Sequence, residues 1–353
     1  MRQEELNVEG YCKVVRFQDD ASGLDAIVSI HSDAIGPGLG GCRMFPYASF
    51  EDGLDDVLRL SKGMTYKNAL AGIPFGGGKS VIFGNPRSDK TPRLFPAFGA
   101  AVNAMAGLYY GAQDSGVDKA DLDAAAGATR YIAGLGGPNG EGGDPSPFTA
   151  YGVWRGVEAA VRHKLGSDLK GVRVIVMGLG HVGMELARLL HKGGASLIVA
   201  DIDPARVEEA KSRFGATGAH YQEAFAQDAD VYAPCALGGA INPTTVQHLK
   251  VKVVAGAANN QLQSPEMGAA LNDRGVLYAP DYIVNAGGVI SVGQEVIGGW
   301  TKEKVYARLD KIGVTIKEVF ARADRDGRRT DEVANAMAEE IIAAGAAPRA
   351  AAV

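Results

Sequence analysis

The spacing of apolar residues divides the chain into two stretches, separated by a segment rich in Gly, Pro and Asn over Gly134–Pro147. In the first stretch, Cys12–Gln18 and Leu24–Ser32 are runs of β-branched and apolar residues around a Gly-containing turn, which predicts two strands. From Glu51 to Ala71, Leu54, Val57, Leu58 and Leu60 broadly follow a 3.6-residue period, which predicts a helix. Ser80–Phe83 and Leu108–Gly111 predict short buried strands on either side of a helix over Arg93–Met105. The Gly134–Pro147 segment marks the approach to a domain boundary.

The second stretch is a regular β-α series. A helix over Pro147–His163 leads to strand Arg173–Met177, a Gly-rich turn and a helix over Met184–His191. Strand Leu197–Asp201, helix Pro204–Phe214 and strand Ala229–Tyr232 follow, with shorter apolar runs at Val251–Ala255 and Val276–Tyr278. Strands alternating with helices of this length predict a parallel, doubly wound sheet. Amphipathic segments near Lys302–Ala323 and Asp331–Ala344 complete the pattern, and the Ala/Pro-rich tail after Ala347 is expected to fray.

Length and composition narrow the class. A chain of 353 residues is long for a single core, so two domains are expected. The net charge of −5 provides no general attraction to nucleic acid or anionic lipid, and no nucleic-acid or membrane partner is expected. The three cysteines, Cys12, Cys42 and Cys235, are scattered with no CxxC, which favours a reducing, cytoplasmic setting over a disulfide framework. The N-terminal residues lack a signal-peptide apolar core, and no long uncharged apolar run occurs, so a soluble intracellular protein is expected. The six histidines show no ligand spacing, so no metal is expected. Gly is abundant at 48 residues and collects in short segments, which points to backbone approaching ligands closely.

Two segments fit Gly-x-Gly-x-x-Gly. Gly36, Gly38 and Gly41 are followed by Cys42-Arg43-Met44-Phe45-Pro46, which cannot open a helix cleanly. Gly178, Gly180 and Gly183 come directly off strand Val174–Met177, open a helix and precede a second strand ending in Asp201. Here Gly178 makes the tight turn and Gly180 admits the pyrophosphate to the backbone. Gly183 allows close helix–strand packing, and the helix N-terminus faces the phosphate charge. Asp201 would accept the adenosine ribose hydroxyls and repel a 2′-phosphate, which favours NAD over NADP, although Arg206 lies close in sequence. His181 and Val182, inside the turn, would present backbone.

Three charges in the first stretch are candidates for chemistry. Lys79 ends the GGGK segment Gly76–Lys79, which departs from a Walker motif because Ile73 stands where Gly is needed; Lys79 is read as a residue on a flexible Gly loop at the mouth of a strand. Lys67 stands at the end of an apolar helical stretch, and Asp114 follows the strand Leu108–Gly111. Two readings remain open from spacing alone. One lysine binds a carboxylate and the other, desolvated beside a like charge, acts as a base; or all three are solvated surface charges.

Long segments resemble the glutamate/leucine/phenylalanine/valine dehydrogenase family, most closely its leucine and valine branch. They are GPGLGGCR (Gly36–Arg43), GMTYKN (Gly63–Asn68), GGGKSV (Gly76–Val81), Asn85–Arg87, PSPFTAYGV (Pro145–Val153) and Gly178–Gly183, then APCALGG (Ala233–Gly239), AGAANNQL (Ala255–Leu262) and YAPDYIVNAGGVI (Tyr278–Ile290). The resemblance implies an α/β protein of two domains with a cleft between them. An N-terminal substrate-binding and oligomerisation domain would span 1–145, with a C-terminal helix over 328–346 packing back on it, and a Rossmann-type NAD domain would span 146–327. It implies an NAD-dependent dehydrogenase of apolar L-amino acids and a homo-oligomer. Lys67 would bind the substrate carboxylate, Lys79 would activate the attacking water and Asp114 would shuttle a proton. Gly40 and Gly41 would lie against the carboxylate, and Asn259 would orient substrate and nicotinamide. Thr149 would hold the carboxamide, and Cys235, Ala236, Ala257 and Asn285 would complete the cofactor site. Leu39, Met64, Ala112, Val289 and Val292 would surround the substrate side chain. All are apolar, so glutamate is disfavoured and a branched aliphatic chain is expected, with phenylalanine as the alternative. A catalytically silent NAD(H) sensor and a 2-hydroxy-acid dehydrogenase are the competing classes; the latter would need a His base that the sequence does not offer. Around Asp114 the chain reads Gln-Asp-Ser-Gly-Val where the family commonly has Glu-Asp-Val-Gly-Thr, and Cys42 replaces a usual Thr. These departures bear on rate and preference rather than on reaction class.

Overall fold

The computed structural model describes residues 1–137 and 143–346. Part of the expected boundary segment, residues 138–142, and the tail after Ala347 lie outside the described residues. The chain forms two α/β units that are not contiguous in sequence. One comprises Met1–Gly143, Ser291–Thr301 and Ala338–Val353, the other Asp144–Ile290 and Lys302–Met337. The expected ranges, 1–145 and 146–327, were contiguous apart from the C-terminal helix.

The first unit is built on a six-stranded mixed sheet. Its strands are β1 (Arg2–Glu5), β2 (Lys13–Asp19), β3 (Leu24–Ser32), β4 (Gly38–Phe45), β5 (Gly76–Phe83) and β6 (Tyr109–Gln113), in the order β1-β2-β3-β5-β4-β6. Strand β4 runs parallel to β5 on one side and to β6 on the other. Helix α1 (Phe50–Leu70) makes the crossover from β4 to β5 and begins at Ser49, whose side chain accepts the Asp52 N–H at 3.0 Å. Helices α2 (Leu94–Ala104) and α3 (Lys119–Ala126) cover the other face. The period-2 strands serve both layers: Ala26, Val28 and Ile30 join the core with Phe95, Phe98 and Val102 of α2, while Ile27 packs with Val57 of α1.

Two strands of this unit have no counterpart in the sequence expectation. Strand β1 is polar and exposed throughout, so it carries no apolar signature. Strand β4 is the decoy glycine segment; it is buried along most of its length, against the usual strand propensities.

In the second unit, helix α4 (Ser146–Leu165) precedes β7 (Arg173–Met177), α5 (His181–Lys192), β8 (Ser196–Ala200), α6 (Pro204–Phe214) and β9 (Thr217–Gly218). A 3₁₀ turn at Tyr221–Ala226 leads to β10 (Val231–Pro234), α7 (Pro243–His248), β11 (Val253–Val254), α8 (Pro265–Asp273) and β12 (Leu277–Tyr278). Helices α9 (Asp281–Val284) and α11 (Lys302–Asp326) also belong to it, whereas α10 (Gly287–Ile297) and α12 (Thr330–Ala346) are each divided between the two units. The sheet is wholly parallel with order β12-β11-β10-β7-β8-β9. Counted from β7 this is the 3-2-1-4-5-6 order of a dinucleotide-binding fold, with the strand order reversing between β7 and β10. Helix α6 obeys its sequence signals closely: Asp203 caps it, Pro204 opens it and Gly215 at φ 62° closes it. Among the described residues no helix is long and apolar enough to cross a membrane.

Candidate active site

The glycines of β4 and β5 are a packing requirement. A Cβ on Gly77 would collide with Thr65 and Ser61 of α1, and one on Gly40 would collide with the Gly78 carbonyl. On Gly78 it would come within 2.6 Å of the Tyr109 ring. Helix α1 therefore lies directly on the backbone of β5, which no larger residue would permit. This corrects the expectation that Lys79 rides on a flexible loop: Gly76–Lys79 is buried strand, and Lys79 is only 6% exposed.

Lys79 and Asp114 meet across a strand that separates them. Lys79 belongs to β5, Asp114 follows β6, and β4 runs between. At the crossing point β4 has Gly41, where a Cβ would stand 2.8 Å from Asp114 Cβ. Lys79 Nζ donates to Asp114 Oδ2 there. Ser115 holds the other oxygen, its N–H donating to Oδ1 at 2.6 Å and its hydroxyl at 3.2 Å. Burial pushes the Asp114 carboxyl upward, but Lys79 and Arg43 outweigh it and hold it down to about 2. The reading of Lys79 and Asp114 as solvated surface charges is thereby excluded.

That depression makes a prediction for acid stability. A carboxyl held at about 2 when folded, against 3.8 ordinarily, stabilises the fold above pH 3.8 and loses that contribution as pH falls through about 2. The shift is worth ~2 kcal/mol. Urea unfolding of the wild type and Asp114→Asn should show a gap at pH 7 that narrows between these two values; a gap independent of pH would disprove the assignment.

The other substrate candidates of this unit surround the same strands. Met64 Cγ would be 3.2 Å from a Cβ on Gly40, and Lys67, half-buried, lies three residues on along the same face of α1. Asn68, a residue that sequence reasoning did not single out, is fully buried and donates to the carbonyls of Leu39 at 3.1 Å and Gly76 at 2.7 Å. It thereby fixes the turn of helix that carries Lys67 to the strands that carry Gly40 and Lys79. Beneath Gly40, the Tyr109 hydroxyl donates to its carbonyl at 2.9 Å. Ala112 pairs with Gly41 in the β4–β6 ladder. Leu39 is buried, and a Cβ on Gly293 would lie 3.6 Å from it, 3.3 Å from Ile73 and 3.4 Å from Phe75. Val292 stands 3.7 Å from the Cβ position of Gly134. Ile73 and Phe75 are thus additions to the expected apolar wall, invisible in sequence because their partner at 293 is distant.

The cofactor candidates and Val289 belong to the second unit. Gly178, at φ 101°, has no room for a side chain beside Ala236, and a Cβ on Gly183 would collide with the Gly178 carbonyl. At Gly180 a Cβ would project into open space, as required of a turn that a phosphate approaches. Helix α5 opens at His181, three residues earlier than expected, because Gly183 packs inside its first turn. The N–H groups of that turn have no intrahelical acceptor, and the His181 ring is solvent-exposed. Asp201 accepts the Leu179 N–H at 2.6 Å and the Asp203 N–H at 2.8 Å, which leaves lone pairs for a ribose hydroxyl. Its nearest cation is Arg206, 3.9 Å away.

Across the reversal point, Cys235 follows β10 and its N–H donates to Met177 O at 2.7 Å. Burial pushes its thiol up to about 12, so it is an apolar wall rather than a nucleophile. Asn285 donates to Ala257 O at 3.1 Å and to Asn259 Oδ1 at 3.0 Å, while its own Oδ1 is buried with no partner among the described residues. Thr149 lies 3.1 Å from the Cβ position of Gly288. A buried acceptor without a donor and a glycine cradle at the strand ends fit a dinucleotide with an amide-bearing ring.

Residues 7–131 match the family described as Glu/Leu/Phe/Val dehydrogenase, dimerisation domain, and residues 142–347 match Glutamate/Leucine/Phenylalanine/Valine dehydrogenase. The chain is similar to the leucine dehydrogenase of Geobacillus stearothermophilus, 46% identical over 94% of this chain and 90% of that enzyme. It is also similar to the phenylalanine dehydrogenase of Bacillus thermotolerans, 46% identical over 94% of this chain and 88% of that one. Among solved structures, an L-tryptophan dehydrogenase from Nostoc punctiforme superposes with a TM-score of 0.86 at 39% identity, covering 95% of this chain and 97% of that one.

Proposed function

Since the chain belongs to the Glu/Leu/Phe/Val dehydrogenase family and is thus an NAD-dependent amino-acid dehydrogenase, we propose that it deaminates branched-chain L-amino acids (leucine, valine and isoleucine). The products are the 2-oxo acid, ammonium and NADH. The observation that carries this reading is the Lys79–Asp114 pair, buried and aligned across Gly41. A glycine backbone and a carboxylate-binding candidate, Lys67, stand on the same face of the sheet.

Gly178, Gly180, Gly183, Asp201 and Asn285 would hold NAD⁺, which when bound would supply the acceptor for the Cα hydride. Lys67 binds the substrate carboxylate as a point charge. An ammonium nitrogen has no lone pair to drive hydride departure, so Asp114 first takes a proton from it. Lys79 activates the water that attacks the resulting iminium carbon. In the carbinolamine the C–N bond then breaks, the hydroxyl proton leaves as the carbonyl forms, and Asp114 returns its proton to the departing nitrogen. The balance is one water consumed and one proton released per turnover. We further propose a homo-oligomer in which the first unit makes the subunit contact.

Identity does not separate the substrates, because relatives named for leucine and phenylalanine are equally similar. The wall does favour one class: Leu39, Ile73 and Phe75 converge on Gly293, and Val292 closes on Gly134. Such a wall rewards a short branched chain, though by only about 1–3 kcal/mol per methylene. NADH formation at alkaline pH across L-amino acids and 2-hydroxy acids tests the proposal. Leucine, valine and isoleucine should lead; phenylalanine in front would overturn the branched-chain assignment. Turnover of no amino acid would overturn the reaction and leave a nucleotide sensor.

A further inference from the structure

Arg43 has no part in the roles above, yet it completes the charge arrangement around Asp114. It lies two residues beyond Gly41 on β4, hence on the same face of the strand that Lys79 crosses. One end of its guanidinium, Nη2, stands 3.6 Å from Asp114 Oδ2, and the other, Nη1, donates to Asp56 Oδ2 at 2.8 Å. Asp56, on α1, is itself fixed. It accepts the Tyr47 hydroxyl at 2.7 Å on the same oxygen and Arg59 at 2.7 Å on the other. Arg43 and Asp56 are 24% and 15% exposed, so these contacts are shielded from bulk water. Charges alternate along the row from Lys79 through Asp114 and Arg43 to Asp56.

We propose that Arg43 is a positioning residue for the reaction: clamped by Asp56, it pins the Asp114 carboxylate against Lys79 and supplies the second positive charge beside it. The inference rests on the reading of Asp114 as the group that takes the substrate's proton. A planar guanidinium suits the task because its two ends reach two carboxylates at a fixed separation, which an ammonium cannot do. Asp114 faces Lys79 from β5 and Arg43 from β4, with Tyr47 and Asp56 behind Arg43 and the Ser115 N–H and hydroxyl on its own segment. Two further titratable groups near it stay neutral: burial pushes the Cys42 thiol up to about 12 and the Tyr109 phenol well above its ordinary value. Of the groups acting on Asp114, Lys79 lowers its carboxyl most and Arg43 next, against burial, which raises it. Without Arg43 the carboxylate gains a proton at higher pH and loses its fixed aim.

The test uses the full chain as wild type, Arg43→Gln, Arg43→Lys and Asp56→Asn, each checked for folding by thermal melting and for NADH binding by fluorescence. Arg43→Gln should lower kcat for L-leucine by about 10–100-fold, part of the 10²–10⁴ that a positioned acid–base group contributes, with KM altered less than about threefold. The acid side of its kcat profile should move to higher pH, and Arg43→Lys should restore most of that shift but less of the rate. Asp56→Asn, which leaves Arg43 in place but unclamped, should fall between. Infrared titration of the carboxyl band that Asp114→Asn removes provides a readout independent of turnover, and its midpoint should rise in Arg43→Gln. A folded Arg43→Gln protein with the wild-type pH profile and carboxyl midpoint, differing only in melting temperature, would overturn the proposal. If the wild type turns over no amino acid, the functional reading fails, while the infrared titration still decides the role of Arg43.

Discussion

Replacing Lys79 by alanine is expected to reduce steady-state deamination by about 10³-fold or more, within the range that a positioned acid–base group contributes. NADH binding should be unchanged. The reasoning starts from placement. Lys79 is nearly fully buried in β5 and its Nζ is aimed at Asp114, so alanine removes both the group that activates water and the main partner of the carboxylate. The residues of the Gly178 turn belong to the other unit. Fluorescence titration with NADH should therefore give the wild-type affinity while kcat collapses. The step lost is identifiable. If water attack on the iminium becomes the slow step, deuterium at Cα will no longer slow the steady state. Unchanged rates in Lys79→Ala would mean that the base lies elsewhere.

How much of this was readable in the sequence depends on whether the signal is local. The second unit announced itself because each of its signals acts over a few residues: a strand, a glycine turn, a helix and an acidic residue at the next strand end. The two-domain α/β architecture and the family were likewise legible, the latter from motifs spread along nearly the whole chain. In the first unit the same reasoning rejected Gly36, Gly38 and Gly41 as a nucleotide turn, because Pro46 follows. It did not find the strand that begins at Gly38 and contains Gly41. Glycine argues against a strand unless something must approach it closely, and here α1, β5 and Tyr109 do so from distant parts of the sequence. Lys79 was assigned to a loop for the same reason. Asn68 and Arg43 escaped notice because their partners, Leu39 and Gly76 for one, Asp56 and Asp114 for the other, converge only after folding. Residue types were visible; the close packing that makes them a site was not.

The largest effect from the smallest change is expected at Gly41. A methyl group there would stand 2.7 Å from the Gln113 carbonyl oxygen and 2.8 Å from Asp114 Cβ, closer than real Cβ atoms approach, so the end of β6 must move. Backbone conformation is not the obstacle, since Gly41 is absent from the positive-φ glycines; the conflict is purely one of space. The displaced group is Asp114, which would swing away from Lys79. Misplacement of a reacting group by about 1 Å costs on the order of 10²-fold, so Gly41→Ala should lose at least that much in kcat/KM. Overpacking should also destabilise the fold by about 1–3 kcal/mol. Gly63 provides the contrast within the same unit: it is an exposed position inside α1 with nothing within 4 Å of its Cβ site. Gly63→Ala should therefore stabilise by about 0.5–1 kcal/mol through helix propensity alone. Opposite signs for one added methyl group, read from urea unfolding, would follow from the geometry of β4. A Gly41→Ala enzyme with full kcat/KM would show that the Lys79–Asp114 alignment does not depend on the bare backbone between them.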